Sequence, residues 1–405
     1  MSGPTTTHGG AGAAEPRGTL HEAAAEGAAG EEAEDAGRPA ALPAEDEAML
    51  RDAARGFLAQ SAPVEAFRRL RDEGTPWDRG LWREMAAMGW AGVLVPEARG
   101  GAWMGHRAAG VLAEEMGRTL AASPWLASSV IAATALGAGG RAERLGEIAS
   151  GALTYGIAVD EGPHHDPEAC ATRAERSGNG FRVTGRKGFA TDGSAADRLL
   201  VLARTEGGLT LFDLDAARAG IERRRLDAID ACDHAEITLR DVEATGEDVV
   251  GEVGRGLDAL VPGLRAGQAA LAAEMTGIAG AAFAMTVGYL KERRQFGRPI
   301  GAFQALQHRA AALWCEIEVT ASAVAHAGRA LDAAPEAAEL AVSLAKARAG
   351  ETARLAVAEG VQMHGGIGMT DDFDMGFFMK RARVAARALG DYGHHAARVS
   401  ALRGA

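Results

Sequence analysis

The chain has 405 residues, 47% of them apolar and 24% charged, which suits a folded protein of two or three domains with a large core. Its 55 acidic residues outnumber 43 basic ones for a formal charge of -12, which argues against nucleic acid as a partner, since phosphate binding relies on clustered Lys and Arg. Cys170, Cys232 and Cys315 are odd in number and far apart, so they form neither a CxxC metal pair nor a disulfide framework; reduced thiols in a cytoplasmic protein are expected.

Met1 to Leu42 hold almost no large apolar side chains. Ordering them would cost entropy with little burial in return, so a disordered acidic tail is predicted over residues 1–44. No run approaches the ~20 apolar residues of a membrane span, and the N-terminus has no basic region ahead of an apolar stretch, so no membrane partner is expected. From Glu45 helical periodicity sets in, with Met49, Leu50, Ala53, Phe57 and Leu58 on one stripe, then Leu81, Met85 and Met88, then Leu112, Met116 and Leu120. A helical domain over 45–150 is predicted, with Gly100-Gly101 at a reversal between helices.

Between Tyr155 and Glu252 the period shortens. Phe181 to Thr184, Leu199 to Leu202, Leu209 to Phe212 and Ala235 to Leu239 read as strands separated by Gly- or Asp-bearing turns, giving an antiparallel β-domain over 151–252. No GxGxxG or GxxxxGK[ST] motif opens a helix after these strands, so neither a dinucleotide fold nor a P-loop is supported. From Leu257 the helical period returns, with Phe303, Leu306, Ala310, Leu313 and Ile317 as its clearest stripe, and a helical bundle fills 253–405. The order helices, β-insert, helices is segregated rather than alternating, which indicates an α+β, mainly α fold.

Two segments interrupt the C-terminal helices. Glu292 to Gln304 joins two of them through Gly297, Pro299 and Gly301 and carries Arg293, Arg294 and Arg298. It could bind phosphate, or simply place cations at a helix C-terminus. Gln362-Met363-His364-Gly365-Gly366-Ile367-Gly368 is either a plain loop or a backbone that a ligand can approach closely. His364 has no second ligand at metal spacing and reads as a packing or loop residue, so no metal is expected.

Taken together, in this order and at this separation, the two segments resemble the signature regions of acyl-CoA dehydrogenases. Gly89-Trp90-Ala91-Gly92, Pro96-Glu97, Gly100-Gly101, Glu114 to Arg118 and Gly185-Arg186-Lys187-Gly188 add to the resemblance, which runs from about Glu45 to the C-terminus. It implies an N-terminal helical domain, a central antiparallel β-barrel and a C-terminal four-helix bundle. It further implies a tetramer, FAD as cofactor, an acyl-CoA substrate and an electron-transferring flavoprotein as acceptor. By the same resemblance, Phe189 and Thr191 would cover and hydrogen-bond the isoalloxazine ring. Arg293, Gln295 and Phe296 would meet the pyrophosphate and adenine region reaching in from a neighbouring subunit, with Gln304 nearby, and Gln362, Gly365 and Gly366 would line the cofactor's other flank.

The family reaction needs a carboxylate within reach of the thioester α-carbon. The resemblance puts the usual Glu at Leu389 and the alternative one at Gly267, so the catalytic base of this chain is unassigned. Glu274, Asp372 and Asp391 are other carboxylates to weigh. Asp160-Glu161-Gly162 stands where relatives carry Thr-Glu-Pro, which would bring an Asp near the flavin. Three readings follow: a subunit of a heteromeric dehydrogenase similar to bacterial small-subunit types, a self-sufficient dehydrogenase with a non-standard base, and a non-enzymatic helical interaction protein.

Overall fold

The computed structural model describes residues 39–404, so most of the predicted acidic tail lies outside the described residues. The first helices are α1 (Ala44–Ser61), α2 (Val64–Glu73), α3 (Arg79–Ala87) and α4 (Gly105–Thr119). Asp78 starts α3 by accepting hydrogen bonds from the backbone N–H groups of Gly80 and Leu81, which lack partners inside the helix. The stripe of α1 differs from the predicted one: Ala54 and Leu58 are buried while Met49 is 65% exposed. Arg51 and Arg55 both donate to the buried Glu115 carboxylate of α4, and this turns their side of α1 inward. A π-helical segment, Leu126–Ala132, runs into α5 (Ala133–Ala138), followed by α6 (Leu145–Ala149).

Eight strands follow: β1 (Tyr155–Ala158), β2 (Arg173–Ser177), β3 (Gly180–Thr191), β4 (Arg198–Thr205), β5 (Gly208–Asp215), β6 (Ile221–Arg225), β7 (His234–Ala244) and β8 (Val249–Val250). They pair in the order β6-β7-β3-β1-β4-β5-β8, with β2 beside β3 and β4. Two corrections to the expected antiparallel barrel follow. The sheet is open, because β6 and β8 end it without pairing to each other, and β1 runs parallel to β4. The β6 edge carries the exposed Glu222, Arg223 and Arg224, charges that discourage further pairing, and β8 is only two residues long. Along β4, Leu199, Val201 and Ala203 enter a core within the sheet, whereas Leu200 and Leu202 join the main core against the helices. Burial on both faces explains why 199–203 reads as an unbroken apolar run.

The C-terminal part contains α7 (Gly256–Glu292), a hairpin of β9 (Arg294–Gln295) and β10 (Arg298–Pro299), α8 (Gln304–Ala333), α9 (Glu339–His364), α10 (Met375–Arg387) and α11 (Tyr392–Arg403). Helices α7 to α10 pack as a bundle, α11 lies on α9, and α4 lies along α7. At that last crossing a Cβ on Gly277 would sit 1.9 Å from Glu114 O, and one on Gly117 would sit 2.2 Å from Glu274 O, so two glycines let the backbones touch. The expectation that no segment approaches membrane-spanning character needs correction. Helix α7 is long and apolar enough by length and composition, and 61% of its most apolar window is buried, as befits the central helix of the bundle.

Candidate functional site

Strand β3 ends at the site. Phe189 and Thr191 line a cavity of about 250 Å³, together with Asp160 and His165 from the loop after β1 and Arg387 and Leu389 from the end of α10. Strict alternation along β3 would put Lys187 and Phe189 on one face, but a bulge between Lys187 and Ala190 breaks it, so that Lys187 is buried while Phe189 is exposed. The Phe189 ring stacks on His234 at 4.2 Å. Asp160 does not stand free: its carboxylate is 2.8 Å from His165 Nδ1 and accepts from the Asp166 N–H at 3.2 Å.

Leu389 adopts a left-handed backbone, φ 56°, and is buried. Its Cδ1 lies 2.9 Å from where a Cβ on Gly267 would be, and the Ile131 side chain lies 2.7 Å from the same point. The turn holding Leu389 is fastened from below. Lys346 Nζ, fully buried, donates to the carbonyls of Ala385, Ala386 and Gly390 at 3.0–3.3 Å, and His395 Nε2 lies 3.1 Å from Leu389 O. Burial holds the Lys346 amine down at about 7, against the pull of Asp391 and Glu274, and pushes the His395 imidazole down to about 3.

Thr191 also borders a second, smaller cavity of about 70 Å³ lined by Asp192, Asp233, His234, Glu274 and Arg381. Arg381 binds Glu274 in bidentate fashion at 2.5 and 2.9 Å and reaches Asp230 at 2.9 Å, joining α10, α7 and the loop before β7. Burial raises Asp230, but hydrogen bonds from His234 and Arg381 outweigh it and keep the carboxyl low. Asp192 has no such cation in contact among the described residues; burial and the neighbouring Asp233 push it well above the usual range. Sequence reading missed Asp192, Asp230, His234, Arg381 and Lys346 as a group. They come from the turn after β3, the β6–β7 loop, β7, α10 and α9, and no local spacing links them.

The remaining expected residues lie elsewhere. Arg293, Gln295 and Phe296 are exposed on the β9–β10 hairpin, Phe296 by 90%, and Gln304 is exposed at the start of α8. Gln362, Gly365 and Gly366 are exposed at the end of α9. His364 joins the two groups: its ring packs between Tyr289 of α7 at 4.5 Å and Phe373 at 4.6 Å, while the hairpin springs from Arg293, whose N–H bonds to Tyr289 O. Gly365, at φ 66° and ψ -142°, uses a conformation nearly closed to other residues, whereas Gly366 has nothing within 4 Å of a Cβ. None of these residues lines the Phe189 cavity.

Of the weighed carboxylates, Glu274 is locked to Arg381, and Asp391 caps α11 by accepting from the His394 N–H at 3.0 Å. Asp372 is exposed in the turn before α10.

The family model for the acyl-CoA dehydrogenase N-terminal domain matches residues 44–151, and that for the C-terminal domain matches residues 254–400. The acyl-CoA dehydrogenase IpdE2 of Mycolicibacterium smegmatis is 31% identical over 351 residues, covering 85% of this chain and 95% of that protein. The chain belongs to the acyl-CoA dehydrogenase family. Members of this family are FAD-dependent oxidoreductases acting on CH–CH bonds. The caffeyl-CoA reductase-Etf complex subunit CarC of Acetobacterium woodii is 27% identical over 84% of this acyl-CoA dehydrogenase homologue and 93% of CarC. The ChsE4-ChsE5 complex of Mycobacterium tuberculosis aligns with a TM-score of 0.82 and 26% identity over 89% of this chain and 98% of that one.

Proposed function

We propose that this chain is one subunit of a heteromeric acyl-CoA dehydrogenase, contributing flavin-binding surfaces while a related partner subunit supplies the base. The observation that carries the reading is the contact between Leu389 and Gly267. The two positions at which the family resemblance expects a base meet each other and Ile131 in one apolar patch. Abstraction of the α-proton needs a carboxylate within hydrogen-bond reach, and this patch offers none.

The residues fit FAD in two halves. Phe189 and Thr191 would wall the ring in the 250 Å³ cavity, where no protein partner engages the Thr191 hydroxyl among the described residues. Arg293, Gln295, Phe296, Gln304, Gln362, Gly365 and Gly366 face outward and would serve the pyrophosphate and adenine end of a cofactor held by a neighbour. A guanidinium neutralises phosphate, and the open space above Gly366 admits a close approach. Bound there, FAD would supply the hydride-accepting chemistry for the substrate's β-carbon. This chain's residues orient that ring, exclude water with Leu389, Phe189 and Val384, and bind the phosphate end.

In this reading the chain works in the cytoplasm in a tetramer with the related subunit, and an electron-transferring flavoprotein takes the electrons. The names ChsE4-ChsE5 complex and reductase-Etf complex among its relatives support such assemblies in general terms. Co-expression with a related dehydrogenase subunit, followed by native mass spectrometry and flavin absorbance, tests it. Flavin and acyl-CoA oxidation should appear in the mixed assembly, and a flavin-replete homotetramer that oxidises an acyl-CoA alone sinks the proposal.

One observation favours a second reading, a self-sufficient enzyme: Asp160 is a carboxylate on the same cavity as Thr191 and is paired with His165. Under that reading the chain alone turns over, and Asp160→Asn abolishes turnover while keeping the flavin spectrum.

A further inference from the structure

We propose that Cys170 and Lys187 form an oxidation site at which thiol and amine become joined through a single oxygen atom. Lys187 is fully buried on β3, and its Nζ lies 3.3 Å from Cys170 Sγ, 2.7 Å from Glu161 Oε1 and 3.1 Å from Val159 O. Cys170 Sγ is itself 3.3 Å from the same Glu161 oxygen. A sulfur, an amine and a carboxylate that binds both therefore close a triangle, with the two oxidisable atoms already at van der Waals contact.

The surroundings hold the three groups together. Burial would raise the Glu161 carboxyl, but hydrogen bonds from Lys187, Thr172 and Ala171 hold it at about 2, so it is an anion beside Lys187. Burial pushes the Cys170 thiol up, and the Lys187 charge opposes that push. Cys170 is buried, but its chain neighbours Ala169 and Ala171 are exposed, so movement of that loop admits a small oxidant.

Hydrogen peroxide is the oxidant, and the atoms balance in three steps. Cys170 sulfur attacks peroxide, the O–O bond breaks, and a sulfenic acid and water form. The Lys187 ammonium releases its extra proton to water that enters with the peroxide, and the free amine attacks a second peroxide to give a hydroxylamine and water. The hydroxylamine oxygen then displaces hydroxide from the sulfenic sulfur, releasing a third water and leaving an S–O–N bridge. Sulfur and nitrogen each lose two electrons, and two peroxides are reduced. The bridge removes the Lys187 charge from Glu161 and ties the loop after β1 to β3. The Gly188 N–H already bonds to Asp160 O at 2.9 Å, so the oxidation state is felt at the wall that holds Phe189.

Titrating the full chain with hydrogen peroxide, digesting it without reductant and analysing the peptides by mass spectrometry tests the site. The expected product is the Cys170 and Lys187 peptides joined, heavier than their sum by one oxygen less two hydrogens, and separated again by dithiothreitol. Cys170→Ser and Lys187→Arg should each abolish it. The exposed Cys315 reports that oxidant was delivered. Oxidised Cys315 with Cys170 still a thiol overturns the proposal, and so does Cys170 found only as sulfinic acid with Lys187 unmodified; both readings come from the unaltered chain, whether or not the variants fold.

Discussion

The Phe189 cavity and the Arg293 hairpin are both expected to meet FAD, the hairpin that of a neighbouring subunit, yet they are built in opposite ways. In and beside the cavity the central polar groups are tied within the chain, Asp160 to His165, Lys346 to three carbonyls and Arg381 to two carboxylates, while the Thr191 hydroxyl is left open to a ligand. On the hairpin and the glycine turn, Arg293, Gln295, Phe296, Gln362 and Gly366 are exposed, and Phe296 offers nearly its whole ring to solvent. The first region is held by burial and will respond to mutation through folding. The second costs the fold little and will respond through assembly and flavin retention.

Breaking the network beside the cavity should have the largest effect. Arg381→Met leaves Glu274 and Asp230 without their cation in a buried setting, and a loss of about 3–5 kcal/mol is expected from chemical denaturation. Adding Glu274→Gln should recover part of it.

The Lys346 amine gives a pH test of the same region. Its pKa is about 7 in the folded chain and near ~10.4 when unfolded, so between these values the unfolded state binds more protons. Stability should therefore rise with pH from about 7 to about 10 through this group, and Lys346→Met should remove that rise. Denaturation midpoints of both proteins across that window check the sign, and equal slopes would refute it.

At the glycine turn the two neighbours should part company. Gly365→Ala forces a side chain into a strained backbone and should cost about 1–3 kcal/mol, whereas Gly366→Ala, with open space around it, should stay within about 0.5 kcal/mol. Smallest in stability is the hairpin: Arg293→Ala and Phe296→Ala should each shift it by no more than about 0.5 kcal/mol. Flavin per assembled chain, read from absorbance, should nonetheless fall in both. Unchanged flavin content would erase the contrast between the two regions.

Much of the fold was legible because burial leaves a period in the sequence. Leu81 and Met85, Leu112 and Met116, and Leu313 and Ile317 repeat at helical spacing and are buried, and the strand segments from Phe181 to Leu239 lie in strands. Closure of the sheet was not legible, since it depends on whether β6 and β8 meet, and pairing between distant strands leaves no mark in either strand alone. Met49 was misassigned because its helix faces inward through the ion pairs of Arg51 and Arg55, which hydrophobic periodicity does not register.

By itself the sequence determined the family, the order of helices and strands, and the two cofactor-like segments, because each is written in residues close together along the chain. Only the tertiary structure decided that Leu389 and Gly267, over a hundred positions apart, share one apolar contact, that Arg381 holds two buried carboxylates, and that Lys187 lies against Cys170. Those facts depend on distances between separate elements, which are fixed by packing across the whole core rather than by any local pattern.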